Sequence, residues 1–464
     1  MARIFPLPLL GLALLPLSAG AFTVSGTVSD SATGKPVFRA RVGMDAAHYT
    51  LTDSLGRFNL ETGAASRISL PDPGRAPMRP DRVPGIFGIE GNGEGTGTWG
   101  RDLSGRYLPF PGMADAARGY LPLAKSARGA AAVNLTIHKM AYFNGSVTVA
   151  GAQSGLVIRL KENFGPGRYD YLYAGEWQGG EAPGTQKMHI VREGKVVWTY
   201  IEPRRCEYDD TWMRSDGSIV FSMRHGARAI RGEKDTTTSW YAFQNVDGKE
   251  GTGLAGELHV LQPIGPRNVF MVVNHGNHAK GYLIDIVKKD TLRTWIIPTG
   301  GGSIHSNFRH IRLTKEGTLF AAHMDWAKVV EYDTATMKPV WEASGADLVG
   351  SSPWTAVKLR NGNALIGGNG AGWVREIDRA TKAIVWNVDL RTVPGVQFGR
   401  FVQEVSRLSN GNTIVSNNGG HPAIIELTPE KKMVWSVDNL GVGTCFQVLD
   451  PDEGVPENPG DLMR

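Results

Sequence analysis

Cysteine, net charge and long apolar runs are all scarce in this chain, and each scarcity argues against a class of protein. Only two cysteines occur in 464 residues and they are not adjacent, which argues against a pyrroloquinoline quinone dehydrogenase. The formal net charge is only +5 and no basic stripe is present, which argues against a nucleic-acid partner. Beyond the first 21 residues, no apolar run is long enough to be a transmembrane segment.

The remaining composition is that of a folded, turn-rich protein. Hydrophobic residues make up 41% of the chain and charged residues 20%, and 59 glycines suit an all-β fold with many turns. The first 21 residues, MARIFPLPLLGLALLPLSAGA, combine a short basic start, an apolar stretch and small residues at Ala19 and Ala21. They predict a secretory signal peptide over 1–21 with cleavage before Phe22, and therefore an exported protein.

A phrase that ends in tryptophan recurs through the second half of the chain. Its clearest copies are TAVKLRNGNALIGGNGAGWVREIDRATKAIVW and QEVSRLSNGNTIVSNNGGHPAIIELTPEKKMVW. Six copies, spaced 42 to 55 residues apart, end at Trp198, Trp240, Trp295, Trp341, Trp386 and Trp435. This period, with four strand-like segments in each copy, is typical of a β-propeller blade. We interpret the tryptophans as residues that pack between neighbouring blades.

The first copy lacks an inner strand, and GTCFQVLD, after the sixth tryptophan, has the pattern of one. The sequence therefore predicts an all-β protein with a six-bladed propeller over 151–464 that its C-terminal strand closes. Closure would bring Cys445 to the strand beside the one that carries Cys206. In an oxidising compartment we expect these two to form a disulfide, and two buried thiols are the alternative.

The residues between the signal peptide and the propeller divide into two stretches. Residues 22–64 alternate apolar and polar positions between turns, with the elements SGTVSD, TGKPV and TDSLGRFNL. These elements resemble the carboxypeptidase regulatory-like (transthyretin-like) domain, which implies a small β-sandwich that acts as a spacer or adhesion module. Residues 65–150 are rich in Pro, Arg and Gly, as in a linker or a poorly defined extension of the sandwich. Within them, AAVNLTIHK and GSVTVAG can be strands that complete the first domain.

Histidines concentrate where a propeller places functional groups, at the starts of inner strands and in the loops between second and third strands. The five at these places are His225, His275, His305, His323 and His421. Such a group can bind a transition metal, supply a nucleophile for anion transfer, or hydrogen-bond a polar ligand. The alternative is that each histidine caps its own loop. No cofactor is firmly implied, although a metal ion bound by these histidines is compatible with the pattern.

The blade phrase resembles exported quinoprotein-like propellers and, more closely, the bacterial arylsulfate sulfotransferase family. The segment HSNFRHIRLTKEGTLFAAHMD is similar to the family segment in which His-Ser-Asn opens an inner strand. The resemblance implies transfer of a sulfuryl group between phenols, with His305 as nucleophile or sulfate contact. His323, His275 and His225 would be supporting catalytic donors. The cations and the histidine expected to contact the ligand are Arg224, Arg309, Arg400 and His421.

A second interpretation gives the protein no catalytic role. In it the propeller is a binding or scaffold protein that recognises glycan or protein, and the N-terminal module is a spacer. The first interpretation instead requires a small anionic or aromatic molecule as partner. Release of phenol from an aryl sulfate separates the two interpretations.

Overall fold

The computed structural model describes residues 22–45, 48–62, 132–175, 182–243, 256–301, 303–438, 443–462 and 464. These residues form strands and short 3-10 helices, with no α-helix among them. Within the same residues, the structure has no helix of sufficient length and apolarity to cross a bilayer. The predicted signal peptide, and the larger part of the predicted linker, lie outside the described residues.

The N-terminal unit consists of two sheets that share one hydrophobic core. Its strands are Thr23–Asp30 (β1), Arg41–Gly43 (β2), Tyr49–Leu51 (β3), Arg57–Glu61 (β4), Val133–His138 (β5), Gly145–Val149 (β6) and Gln153–Leu160 (β7). The sheet orders are β4-β1-β7 and β3-β2-β5-β6. Val28 and Phe58 from the first sheet pack in the same core as Val42 and Leu135 from the second. Because the apolar positions alternate along β4, one face of its sheet is buried.

The N-terminal unit extends further along the chain than the sequence boundaries at 64 and 150 indicate. The stretches AAVNLTIHK and GSVTVAG contain β5 and β6, which pair with each other and, through β5, with β2. Strand β7 pairs in parallel with β1 and ends at Leu160. The sheets of the unit therefore continue to Leu160.

From Tyr171 onward, the described residues form six four-stranded antiparallel sheets. Sheet 1 contains Tyr171–Gly175 (β8), Lys187–Arg192 (β9), Lys195–Ile201 (β10) and Gly443–Val448 (β31). Sheet 2 contains Thr211–Met213 (β11), Ile219–Ser222 (β12), Gly226–Ile230 (β13) and Thr238–Phe243 (β14). Sheet 3 contains Glu257–Ile264 (β15), Asn268–Asn274 (β16), His278–Asp285 (β17) and Asp290–Pro298 (β18).

Sheets 4 to 6 repeat the same order of four successive strands. Sheet 4 contains Phe308–Leu313 (β19), Leu319–His323 (β20), Lys328–Tyr332 (β21) and Pro339–Ser344 (β22). Sheet 5 contains Pro353–Lys358 (β23), Ala364–Gly368 (β24), Trp373–Ile377 (β25) and Ile384–Asp389 (β26). Sheet 6 contains Phe401–Arg407 (β27), Thr413–Asn418 (β28), Ile424–Leu427 (β29) and Met433–Val437 (β30). Within the described part of the chain, 3-10 helices lie at Pro166–Arg168, Gly345–Leu348 and Leu390–Thr392.

Hydrophobic cores lie between successive sheets. Phe270 of sheet 3 packs in one core with Ile311 of sheet 4, and Leu365 of sheet 5 packs in another with Val405 of sheet 6. A further core joins sheet 6 to sheet 1. In sheets 2 to 6, the first strand of each sheet lies beside the first strand of the next, and β31 of sheet 1 lies beside both β27 and β11. Sheets that pack face to face around a common set of inner strands constitute a β-propeller fold.

The recurrent tryptophan connects each outer strand to the next sheet. The indole N–H groups of Trp295, Trp341 and Trp386 donate to backbone carbonyl oxygens of the following sheet, at 3.1, 3.0 and 2.9 Å. Trp435 of sheet 6 packs edge-on against Tyr171 of sheet 1. The sequence period therefore records contacts between sheets, because a buried indole needs both an apolar surface and an acceptor for its N–H.

The C-terminal strand joins sheet 1, where the sequence placed it. Strand β31 pairs antiparallel with β8, and Cys445 lies opposite Ala174. Cys206 and Cys445 belong to one hydrophobic core, but no disulfide joins them, so the structure does not contain the predicted disulfide. Burial, together with the charge of Glu404, raises the pKa of the Cys445 thiol well above its ordinary value. The thiol is therefore protonated, and it donates to the carbonyl oxygen of Asp209 at 3.0 Å.

After β31, residues 449–464 cross one end of the inner strands. The Glu457 carboxylate accepts from the backbone N–H of Ser215, just after β11, at 2.7 Å. Glu453 accepts from Ser409, just after β27, and from Lys139 of the N-terminal unit. This segment therefore contacts the C-terminal ends of the inner strands. Through Lys139 it also binds the N-terminal unit to that end of the propeller.

Candidate functional site

Seven polar side chains from sheets 2, 3 and 4 meet at the opposite end of the inner strands. We refer to them as the central cluster, and its members are Glu207, Asp209, Arg224, Glu257, His259, His305 and Arg309. Glu207 and Asp209 precede β11, Glu257 and His259 begin β15, and His305 precedes β19. Residues i and i+2 of a strand face the same side, so Glu257 and His259 both project into the cluster.

Glu257 is the residue to which the other side chains converge. Its Oε2 atom accepts from His305 Nδ1 at 2.7 Å and from His259 Nε2 at 2.9 Å. Its Oε1 atom accepts from Arg224 Nε at 3.0 Å and from Arg224 Nη2 at 2.8 Å. Burial alone would raise the pKa of Glu257, but the hydrogen bonds from the two histidines and Arg224 hold it well below its ordinary value. Glu257 is therefore an ionised carboxylate with both oxygens occupied.

His259 lies between two carboxyl groups. Its Nδ1 atom is 2.9 Å from Asp209 Oδ2, and its Nε2 atom is 2.9 Å from Glu257 Oε2. A neutral imidazole has only one N–H, so this pair of contacts requires one further proton. Burial and the Arg309 charge lower the pKa of His259 to about 4, whereas burial and the Glu207 charge raise the pKa of Asp209 well above its ordinary value. The lowered pKa of His259 and the raised pKa of Asp209 both assign the further proton to Asp209 and leave His259 neutral.

The two arginines of the cluster are each bound to carboxylates. Arg224 pairs with Glu257 and approaches Glu207 at 3.5 Å. Arg309 Nη1 lies 3.4 Å from Glu207 and 3.2 Å from Asp209, and it contacts the His259 ring. Arg309 Nη2 lies 3.0 Å from His305 Nδ1. Because buried charges need partners, this pairing keeps the cluster close to electroneutral.

His305 is the most accessible imidazole of the cluster. Its side chain is 40% exposed, whereas that of His259 is fully buried. The Glu257 carboxylate fixes the orientation of its ring through Nδ1. A carboxylate-oriented imidazole at an exposed edge can act as a nucleophile or a general base, and the same donor atoms can hold a metal ion. Two sets of side chains have suitable donors for an ion, Glu257 with His259 and His305, and Glu207 with Asp209 and His259.

A second layer of charge lies beneath the cluster in the channel. A small cavity there is lined by Asp209, Asp210, Arg309, His310, Arg312, Trp354, Gln403 and Glu404. Arg312 donates to both oxygens of Asp210, at 2.7 and 2.8 Å. Arg464 pairs with Glu404 and lies over the Trp212 ring. The C-terminal segment therefore occupies the channel on the side away from His305.

Of the predicted site residues, the structure brings His305, Arg309 and Arg224 together. The His323 ring is buried in sheet 4, 2.9 Å from the Tyr332 hydroxyl and stacked on Trp326. The remaining four lie in other surroundings.

His275 lies in the turn after β16, and its ring stacks on that of His278 at 4.9 Å. His225 lies in the turn between β12 and β13, beside Arg224. His421 is exposed and lies 3.1 Å from Asp438. Arg400 lies just before β27, and its backbone N–H donates to the carbonyl oxygen of Asn418. His225, His275 and His323, which follow second strands, therefore lie in turns or inside a sheet and not in the cluster. Except for Arg224, the cluster residues lie on a first strand or just before one.

Four members of the cluster are not among the residues predicted from the sequence: Glu207, Asp209, Glu257 and His259. Three of them are acids, and they lie in the copies that match the repeated phrase least well. The signal that could have identified them is the pattern Glu-x-Asp before β11 and Glu-x-His at the start of β15. Such alternation places two polar side chains on one face of a strand that is otherwise apolar.

Comparisons with known proteins identify a similar fold and no family. No protein-family model matches the chain, and no curated protein is significantly similar to it. A solved protein of unknown function from Bacteroides caccae is 20% identical, with a TM-score of 0.51 over 61% of this chain and 100% of its own.

Two further solved structures are less similar. The WD40 β-propeller domain of Doa1 is 13% identical, with a TM-score of 0.39 over 63% of this chain and 84% of its own. BamB from Moraxella catarrhalis is 13% identical, with a TM-score of 0.31 over 56% of this chain and 72% of its own. These two TM-scores are too low to carry an inference, and the similarity to the Bacteroides caccae protein concerns the fold alone.

Proposed function

We propose that the protein is an exported enzyme that transfers a sulfuryl group between phenols at the central cluster. The observation that carries the proposal is the 2.7 Å hydrogen bond between His305 Nδ1 and Glu257 Oε2 at the exposed edge of the cluster. With its proton on Nδ1, the imidazole carries a lone pair on Nε2, which is the form a nucleophilic histidine needs. Arg309 Nη2 lies 2.5 Å from that Nε2 atom, so the guanidinium must move toward the sulfuryl oxygens before the lone pair can attack. His305 also opens the His-Ser-Asn segment that resembles the arylsulfate sulfotransferases.

The reaction would proceed in two displacements. The Nε2 lone pair attacks sulfur, the bond between sulfur and the aryl oxygen breaks, and the phenolate leaves with the electron pair and takes a proton from water. A second phenol then loses its proton to water, its oxygen attacks sulfur, and the N–S bond returns its electron pair to Nε2. Glu257 balances the positive charge of the sulfonated imidazole, and Arg309 is the nearest cation for the sulfuryl oxygens.

The proposal includes an architecture finer than a β-propeller. The six four-stranded sheets would be six blades, with β31 completing the first blade and closing the ring. The core shared by sheets 6 and 1 supports closure. The two sheets of the N-terminal unit, which share one core, support a β-sandwich. The signal-like sequence at 1–21 supports export.

The test is release of a chromogenic phenol from an aryl sulfate in the presence of a phenol acceptor. We expect acceptor-dependent release by the wild type, and loss of at least about 100-fold in His305→Ala, because the nucleophile is removed. His138→Ala, on β5 and remote from the cluster, is the matched control and should retain activity. No release by the wild type, or equal release by His305→Ala, would contradict the proposal.

One observation favours the alternative of a non-catalytic binding protein. Both cluster arginines already bind carboxylates, so an incoming sulfate would have to compete with Glu257 for Arg224 and with Glu207 for Arg309. If the wild type releases no phenol, a binding role for the same surface, toward glycan or protein, becomes the better account.

A further inference from the structure

We infer that the central cluster is a binding site for one divalent transition-metal ion, of which zinc is the natural example. The ligands are Glu257 Oε2, His259 Nε2 and His305 Nδ1. Two imidazole nitrogens and one carboxylate oxygen form a ligand set that zinc and cobalt accept readily. The inference does not depend on sulfuryl transfer, although it uses two residues of that proposal.

The distances between the donor atoms are close to those required around an ion. Glu257 Oε2 is 2.7 Å from His305 Nδ1 and 2.9 Å from His259 Nε2. All three donors lie within 4.8 Å of one another. Neighbouring ligand atoms around zinc, with bonds of about 2 Å, are roughly 3 to 3.5 Å apart. A small outward movement of the three donors is therefore enough to admit the ion.

The groups behind the ligands are those that support a metal site. Asp209 Oδ2 lies 2.9 Å from Nδ1 of His259, the ring nitrogen that faces away from the ion. When an ion replaces the proton on Nε2, the proton of Asp209 can pass to Nδ1, which leaves Asp209 as a carboxylate acceptor. Metal-bound histidines typically donate their second N–H to a carboxylate, which fixes the ring. Arg224 holds Oε1 of Glu257 through two hydrogen bonds, so that Oε2 points to the two imidazoles. These contacts come from residues outside the ligand set and are independent of it.

The site also has an open side. His259 is fully buried, whereas the His305 side chain is 40% exposed. Three protein ligands with one face open to solvent leave a coordination position for water or a substrate, as in catalytic zinc sites. Arg309 Nη2 lies 3.0 Å from His305 Nδ1, and Arg309 Nη1 lies 3.1 Å from His259 Nε2. On metal binding the guanidinium would move away from both ligand atoms while remaining near Glu207 and Asp209.

Metal binding and the proposed transfer would exclude each other at His305. An ion bound to Nδ1 displaces the proton toward Nε2, and a protonated Nε2 has no lone pair for attack on sulfur. If both proposals hold, zinc inhibits the transfer and a chelator restores it. The two proposals can therefore fail separately.

The test is titration of the full chain, freed of metal with a chelator and dialysed, with zinc chloride in a calorimeter. We expect one zinc ion per chain. Glu257→Gln and His305→Ala should each weaken binding by at least about 10-fold. Asp209→Asn, which leaves the three ligands in place but alters the supporting hydrogen bond to His259 and the contact with Arg309, should weaken it by about 10- to 100-fold. Cobalt in place of zinc should give visible absorption bands typical of four- or five-coordinate ions.

The controls address other histidines and the folding of the variants. His278→Ala removes the ring that stacks on His275, the other close histidine pair, and should bind zinc as the wild type does. Circular dichroism establishes that each variant is folded, and Glu257→Gln is isosteric. Failure of the wild type to bind zinc overturns the inference. Equal binding by Glu257→Gln and the wild type, or loss of binding in His278→Ala alone, overturns it too.

Phenol release measured in parallel separates the two proposals. Zinc binding without phenol release supports the metal site and contradicts sulfuryl transfer. Phenol release by a chain that does not bind zinc supports sulfuryl transfer and contradicts the metal site.

Discussion

Arg168, just before the first strand of sheet 1, donates to both carboxylate oxygens of Glu426 in sheet 6, at 2.6 and 2.8 Å. Both side chains are fully buried. Glu376 of sheet 5 pairs through one oxygen with Arg407 of sheet 6, and Glu331 of sheet 4 pairs through one oxygen with Arg379 of sheet 5. All three glutamates lie on the third strand of their sheet. The repeated Glu of the sequence phrase therefore receives an arginine from the following sheet, including across the junction of the last sheet with the first.

The first prediction concerns this junction. Replacing Arg168 by Met should lower the free energy of unfolding by about 3–5 kcal/mol, because it leaves the Glu426 charge buried without its partner. Unfolding by urea, followed by tryptophan fluorescence, measures the loss. Glu342→Gln is the control, because the ion pair of Glu342 with Lys328 is exposed and should contribute about 1 kcal/mol or less. Equal effects of the two substitutions would show that the junction does not depend on the buried pair.

The repeated phrase was sufficient to predict a β-propeller fold, because the terminal tryptophan and the strand-like segments recur every 42 to 55 residues. It also predicted that the strand with Cys445 returns to the first sheet. The N-terminal boundaries were less accurate, since β7 pairs with β1 across more than a hundred residues and nothing in its local pattern indicates its partner.

The candidate site was only half predictable. His305, Arg309 and Arg224 were identified, whereas Glu257 and His259 begin a strand whose remaining residues are all buried and whose match to the phrase is poor. Histidines in a common register suggested a common location, but His323 faces Tyr332 inside its own sheet. The position of a residue within the repeated phrase specifies only where it lies along its strand. Whether its side chain faces the channel or the neighbouring sheet depends on strand parity and packing.

The second prediction concerns attachment of the N-terminal unit. Asp452 accepts from Arg41 Nη2 at 2.8 Å, and both side chains are buried. Asp452→Asn should lower the stability of the protein by about 3 kcal/mol, because the Arg41 charge loses its buried partner. Limited proteolysis should then cleave between the unit and the propeller sooner than in the wild type. Glu430→Gln is the matched control, since Glu430 pairs with Lys35 across the same two parts at 4.0 Å and is exposed. Faster cleavage in both variants would show that burial of the ion pair is not what matters.

The third prediction concerns the two cysteines. Cys206 is 0% and Cys445 1% exposed, so a thiol reagent should react slowly with the native protein. After denaturation without reductant it should titrate two thiols per chain, the number of cysteines in the sequence. Prior reduction should leave that count unchanged. A count of zero, with a mass lower by two hydrogens, would instead demonstrate the disulfide.

The fourth prediction concerns acid sensitivity and His310, which lines the channel cavity. Burial, and then the charges of Arg312 and Arg464, lower the pKa of His310 well below its ordinary value. The folded protein therefore keeps this imidazole neutral while the unfolded chain protonates it as the pH falls below about 6.5. The unfolded state then binds one more proton, so this residue costs the folded state about 1.4 kcal/mol for each pH unit below that value, until the folded pKa is reached.

His310→Gln should accordingly make the loss of stability between pH 7 and pH 5 shallower, by up to about 2 kcal/mol, as measured by urea unfolding at several pH values. The comparison is between slopes, because the substitution also changes packing at every pH. A variant whose stability falls with pH as steeply as that of the wild type would show that His310 is not held neutral in the fold. Water would then have to reach the His310 ring despite its burial, or the charges of Arg312 and Arg464 would have to be better screened than their positions in the channel indicate.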